Sequence, residues 1–282
     1  MSIVTSQAPI VGLHVQSRPQ SLTLVRGMLS GVAEQLAMDP ELLDDLKTSV
    51  SEACNNVVLH AYDGEPGPME VQLFVDDDSI RVLVLDHGVG LSDSPAAIAN
   101  DGAGGLGVSV MQALARDFEL SPRQGGGTEV LLRFDGRRDG EPLFTVPSPA
   151  TMDHQVGDIA HNDDNEVMVS VSPVALLSSV LGRVARTVAA TAHFSLDRFS
   201  DVYLITDALA AHADRAADGE RITARLTASD RQLSLSLGPF RRGSSALLDA
   251  RAPSPLSMLA DDLTVSECGS GDAVKLVVLD ER

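Results

Sequence analysis

No tryptophan occurs in the 282 residues, and aromatic residues make up only 3%. The cores must be built mainly from Leu, Val, Ile and Ala, and stacking platforms for nucleic-acid bases are not expected. Cysteine is nearly absent too. Cys54 and Cys268 stand far apart and in no C-x-x-C pair, which excludes a disulfide framework and a cysteine-based zinc site. Basic residues are scarce, 21 against 40 acidic, for a formal charge of −19. A phosphate backbone or an anionic bilayer meets net repulsion from such a chain, so neither nucleic acid nor membrane is an expected partner. No apolar stretch approaches the ~18 residues of a membrane span. The opening MSIVTSQAPIVG has no basic segment leading into a long apolar run. The expectation is a cytoplasmic protein.

What is present is enough for two folded domains: 44% apolar residues and 22% charged. The pattern predicts a strand near 10–16, a helix over about 19–37, and a second helix from Asp39-Pro-Glu to about Ala61, with Asp as cap and Pro just inside. MEVQLFV (69–75) and SIRVLVL (79–85) alternate or run apolar around an acidic turn and read as an antiparallel hairpin. A glycine-rich loop over 88–107, a helix over 108–115 and two short strands ending near Phe134 complete an α+β order, a two-layer sandwich. The composition then shifts to Pro, Gly and an acidic run, read as a linker over 138–165 between domains 1–137 and 166–282. The second half repeats the order: strand (167–173), helices (174–192, 195–216), hairpin (222–228, 232–238), helix (255–263) and a strand pair (264–280). A tandem duplication explains that order.

Three motifs carry chemistry. In EACNNVVLHAY, Glu52, Asn56 and His60 are spaced by four and share one helical face. An amide oxygen suits Mg²⁺, and a carboxylate can take a proton from an attacking hydroxyl. In VLVLDHGVG, Asp86 follows an apolar strand, placed to accept from an exocyclic amine, while Gly88 and Gly90 keep Cβ atoms out of the way. In NDGAGGLGVSV, Gly102, Gly104, Gly105 and Gly107 lead into a helix, whose N–H groups suit polyphosphate. Thr128, opening a strand after QGGG, is placed to reach the amine that Asp86 binds. No Gly-Lys-Ser/Thr follows the glycines, so this is not a Walker loop. Singly, the three also fit a solvated polar stripe, a strand-ending turn and a surface loop.

In this order they resemble the N box and two glycine boxes of the Bergerat-type ATPases, the histidine kinase-like fold. The ending His60-Ala61-Tyr62 and the run Gly105-Leu106-Gly107 are similar to the bacterial anti-sigma factor serine/threonine kinases of the SpoIIAB/RsbW family. The resemblance spans residues 10–134. It implies ATP and Mg²⁺ as cofactors, Asn56 at the metal, and Glu52 as the catalytic base. It places Asp86 and Thr128 at adenine, with His60, Gly88, Gly90, Gly102, Gly104, Gly105, Leu106 and Gly107 completing the nucleotide site and its lid. The implied protein is a kinase acting on a STAS-type anti-anti-sigma partner, with a sigma factor as second partner, paired as an intramolecular pseudo-dimer or a homodimer.

Two departures qualify this expectation. No Lys or Arg lies between Arg81 and Arg116, so the lid brings no cation, and an ATP-binding adaptor without transfer is the alternative. The second half has no Asn after Asn165, no Asp-x-Gly-x-Gly and no glycine lid. Matching Glu-Ala to Asp-Ala puts Asp207 where Glu52 falls, and the half reads as a degenerate copy without a nucleotide site.

Overall fold

The computed structural model describes residues 8–90, 105–145, 165–245, 255–268 and 271–280. The chain divides into two compact units, Met1–His161 and Asn162–Arg282.

Unit 1 runs β1 (Val11–Gln16), α1 (Ser21–Gln35), α2 (Pro40–His60), β2 (Pro68–Val75), β3 (Ser79–Asp86), α3 (Gly105–Leu114), β4 (Asp117–Pro122) and β5 (Thr128–Asp135). Its strands pair antiparallel in the order β1-β2-β3-β5-β4. Register puts one apolar layer on a single face. Val11, Leu13 and Val15 oppose Leu73, Val71 and Met69, which in turn oppose Val82, Val84 and Asp86. All of these are 1% exposed or less, so period-two alternation carries Asp86 onto the core face behind Ile80, Val82 and Val84. The second helix begins as its cap residues dictate. Asp39 accepts from Glu41 N–H at 3.0 Å and Leu42 N–H at 3.2 Å, with Pro40 just inside.

The structured part of unit 1 extends past residue 137. Short strands β6 (Arg137–Arg138) and β7 (Glu141–Pro142) pair, and the chain then folds back. Leu143 N–H donates to Gly136 O at 2.8 Å, Leu143 O accepts from Asp39 N–H at 2.7 Å, and Thr145 N–H donates to Leu36 O at 2.7 Å. Phe144 is 6% exposed over Gly136, where a Cβ would stand 2.7 Å from the ring. Residues 138–145, expected as linker, thus fasten the α1–α2 turn. Phe144→Ala in the full chain is expected to cost unit 1 about 3–5 kcal/mol, since a buried ring leaves a cavity. Urea unfolding followed by circular dichroism reads it, and an unchanged first transition would show the segment to be unattached.

Unit 2 runs β8 (Glu166–Val171), a 3₁₀ turn (Val174–Leu176), α4 (Leu177–Thr191), α5 (Leu196–Ala216), β9 (Ile222–Ser229), β10 (Gln232–Phe240), α6 (Pro255–Leu259), β11 (Asp262–Cys268) and β12 (Gly271–Leu279). The strands pair antiparallel in the order β8-β9-β10-β12-β11. The helix expected over 255–263 stops at Leu259. Asp261 N–H donates to Val277 O at 2.9 Å and its carboxylate accepts from Leu279 N–H at 2.7 Å, so the chain joins the sheet instead. One helical run among the described residues, Val174–Thr191, is long and apolar enough to cross a membrane by length and composition, against the sequence expectation. Half of it is buried within the protein, as in the core helix of a folded domain. Leu177, Val180, Leu181, Val184, Ala185 and Val188 form its buried stripe.

Candidate active site

The carboxylate of Asp86 ends β3 at 1% exposure, and both of its oxygens are engaged. Oδ1 accepts from Gly88 N–H at 2.8 Å, and Oδ2 accepts from the Thr128 hydroxyl. Thr128 is the first residue of β5, so two adjacent strand ends present a carboxylate and a hydroxyl together. The turn after Asp86 is pressed between neighbours. A Cβ on Gly88 would stand 2.0 Å from Ala61 O, and one on Gly127 (φ +89°) would stand 2.1 Å from Asp86 O. Only glycine fits either position. Val89 N–H donates to Ala61 O at 2.9 Å, tying the turn to the end of α2, and Gly90 (φ +75°) faces Gly127.

Two side chains fasten this turn that the motifs did not assign. The Tyr62 hydroxyl accepts from His87 N–H at 2.8 Å and donates to Pro68 O, its ring lying where a Cβ on Gly67 would stand 2.3 Å away. Burial pushes the Tyr62 phenol above its ordinary range; the His87 N–H bond opposes this, the charge of Asp86 adds to it, and that of Arg123 opposes it. Arg123 Nη1 donates to Asp86 O at 2.9 Å and lies 3.0 Å from His87 Nε2. A tyrosine ending the first motif was visible in the sequence. An arginine 37 and 36 residues from its partners Asp86 and His87 carried no such signal.

The other cluster lies along α2. Glu52 and Asn56 are half-buried on one face and His60, the last helical residue, is exposed. The first turn of α3 meets that face at Gly107, where a Cβ would stand 2.8 Å from Glu52 Oε2 and 3.7 Å from Asn56 Oδ1. Helix α3 starts at Gly105, three residues earlier than the sequence suggested, so Gly105, Leu106 and Gly107 belong to its first turn. Leu106 is 81% exposed. Gly102 and Gly104 lie outside the described residues, as does most of the expected lid. Among the described residues His60 joins neither cluster. Cys54 points into the core, its thiol pushed up to about 12 by burial, and is chemically inert.

Unit 2 gathers a different constellation around the end of β10. Helices α2 and α5 both have 21 residues, capped by Asp39 and Ser195 and ending at Ala61 and Ala217. This register sets His212 opposite Asn56 and Ala208 opposite Glu52. Aligned cap to cap, the two helices thus differ by one residue from the sequence match that set Asp207 against Glu52. Phe240 is fully buried with its ring 4.9 Å from that of His212, and His212 Nε2 lies 3.2 Å from the Ser245 hydroxyl. A register shift places Phe240 opposite Asp272, which is 3% exposed and accepts from Gly243 N–H at 2.7 Å. Arg241 is engaged internally: its N–H donates to Ala216 O at 2.8 Å and its guanidinium caps the Arg215 and Ala217 carbonyls.

Burial, assisted by the Arg215 charge, holds the His212 imidazole below its ordinary 6.5. The unfolded chain therefore binds a proton that the folded chain resists. The resulting stability is complete above the ordinary value and is lost as pH falls through the folded one. Unfolding midpoints are expected to drop between about pH 7 and pH 5 in the unaltered chain, and less so in His212→Asn. Parallel slopes in the two would show that His212 titrates freely.

The model of the histidine kinase-like ATPase domain matches residues 15–134, all within unit 1. The serine-protein kinase RsbW of Bacillus pumilus is 32% identical over 130 residues, covering 41% of this chain and 80% of the relative. The anti-sigma F factor of Caldanaerobacter subterraneus is 31% identical over 133 residues, covering 44% and 93%. The crystal structure of the RsbU and RsbW domains of Rv1364c from Mycobacterium tuberculosis overlays with a TM-score of 0.34 at 21% identity, covering 48% of this chain and 34% of that one, too loosely to place residues. The chain belongs to the histidine kinase-like ATPase family, in the branch of the anti-sigma factor serine/threonine kinases.

Proposed function

We propose that unit 1 binds ATP with Mg²⁺ and transfers its terminal phosphoryl group to a serine or threonine of a STAS-type anti-anti-sigma partner, so that the chain acts as a switchable anti-sigma factor. The carrying observation is the buried Asp86 carboxylate held by Thr128 and Gly88 at a strand end, with Gly88 pressed against Ala61 at the close of the helix that carries Glu52 and Asn56. Asp86 is an acceptor held to receive an exocyclic purine amine, and Thr128 stands beside it. The residues fit the implied cofactors. Close-approach glycines keep the turn free of Cβ atoms, and Asn56 offers an amide oxygen of the kind Mg²⁺ accepts beside phosphate and water oxygens. Bound Mg²⁺ would neutralise phosphate charge. Glu52 would hold the attacking hydroxyl and take its proton, and the N–H groups opening α3 would face the phosphates.

Labelled ATP incubated with the full chain and a panel of STAS proteins tests this. Phosphate on a serine or threonine of one partner is expected; complexes that form without any transfer would contradict the kinase reading. That outcome is the second reading, an ATP-ordered adaptor, favoured by the absence of Lys and Arg from 82–115. We read unit 2 as a degenerate copy that keeps the element order. In a cap-to-cap alignment of the two 21-residue helices His212 takes the place that Asn56 has in unit 1, and Phe240 fills the strand end with an apolar ring, which supports one ATP per chain.

A further inference from the structure

We propose that Arg123 is a positioning residue for nucleotide recognition, locking the Asp86–Gly88 turn from the outside so that the buried carboxylate is held ready for a purine amine. This rests on the reading of unit 1 as an ATP site. The β4–β5 loop folds onto the turn: Arg123 N–H donates to Gly127 O at 3.1 Å and Gly126 N–H to Arg123 O at 3.3 Å. Glycine at 127 lets the loop backbone reach Asp86 O, and Cβ positions on Gly126 and Gly90 would stand 3.5 Å and 3.4 Å from Gly88 O and Gly127 O. Close approach alone does not fasten two loops. Arg123 does so, with Nη1 reaching Asp86 O at 2.9 Å and His87 Nε2 at 3.0 Å.

The chemistry of the second contact is decisive. A guanidinium only donates, so His87 Nε2 accepts, and the neutral imidazole carries its proton on Nδ1. Arg123 therefore selects a tautomer as well as a backbone position. His87 is held through its main chain by Tyr62 and through its ring by Arg123, so Asp86 and Gly88 on either side have little freedom. The contacts are to a carbonyl and an imidazole and not to a carboxylate, so this is no ordinary surface ion pair. Its effect is on recognition: ligand binding meets a carboxylate already oriented by Gly88 N–H and Thr128. Glu52 and Asn56 meet α3 instead, so the transfer step at saturation does not depend on it.

The test uses the full chain, calorimetric titration with Mg²⁺-ATP, and ¹⁵N spectra of the His87 ring. Arg123→Ala is expected to weaken ATP about 10- to 100-fold, the worth of a lost charge-assisted pair, with kcat at saturation unchanged. Arg123→Lys keeps one donor of the same charge and is expected to recover part of the loss. In the free protein the His87 ring is expected as the Nδ1–H form, passing to the Nε2–H form common for free imidazole in Arg123→Ala, a change that loss of stability alone does not produce. Equal affinity in wild type and Arg123→Ala, or a lysine variant no better than alanine, would overturn the proposal. So would a His87 ring that is Nε2–H in both proteins. A folded wild type that binds no ATP fails earlier and overturns the nucleotide reading itself, whatever the His87 spectra show.

Discussion

Replacing Glu52 with alanine is expected to lower phosphoryl transfer ~10²–10⁴-fold while leaving Mg²⁺-ATP affinity within a few-fold of wild type. The carboxylate is half-buried, and Oε2 stands beside the backbone of Gly107 in the first turn of α3. In the proposed site the purine is held at the Asp86 end, away from Glu52. A group needed only for proton acceptance acts on the transfer step, and the ground-state complex does not need it. Asn56→Ala makes the contrast. Removing the amide oxygen is expected to weaken binding in Mg²⁺ much more than in its absence. Calorimetry with and without Mg²⁺, beside single-turnover transfer, separates the two variants. Equal loss of affinity in both would make Glu52 a structural residue.

The second large effect lies at Asp86. Asp86→Asn is expected to weaken ATP about 10²–10³-fold. The substitution keeps shape but replaces one acceptor oxygen by an N–H₂ group, and both present oxygens are in use. If the new amide keeps its oxygen toward Gly88 N–H, its N–H₂ meets the purine amine donor against donor, while the Thr128 hydroxyl has to turn from donor to acceptor. A buried donor left without an acceptor costs about 1–3 kcal/mol, and a lost charge-assisted bond about 1.5–3. Guanine-like ligands, which present an acceptor at that edge, are expected to lose less. Fluorescence titration with ATP and GTP analogues reads both, and an Asp86→Asn chain that binds ATP as the wild type does would remove Asp86 from recognition.

Legibility of these sites in the sequence followed the range of the forces involved. Helix α2 was readable because Asp39, Pro40 and the four-residue spacing of Glu52 and Asn56 are local signals. Asp86 was readable as the end of an apolar strand; its burial on the core face, through alternation with Ile80, Val82 and Val84, emerged only with the register. Arg123 and Tyr62 were not assigned, because their partners are set by the β3–β5 register and by two loops meeting, which no spacing encodes. The packing of 138–145 was hidden for the same reason: one apolar ring, Phe144, directs it against Gly136 within a Pro- and Gly-rich run. Residue likeness and helix length give alignments of the two halves that differ by one residue: Glu-Ala matched to Asp-Ala pairs Glu52 with Asp207, whereas cap-to-cap alignment of α2 and α5 pairs it with Ala208. The start of α3 was expected late because glycine is a weak helix former, yet Gly107 is what allows close contact with Glu52.

Equilibrium titration of the full chain with ATP in Mg²⁺, counting sites, bears most directly on the central claim. The expected result is one site per chain, weakened about 10²–10³-fold in Asp86→Asn and unchanged in His212→Asn. Two sites, or a single site that keeps its affinity in Asp86→Asn and loses it in His212→Asn, would contradict it.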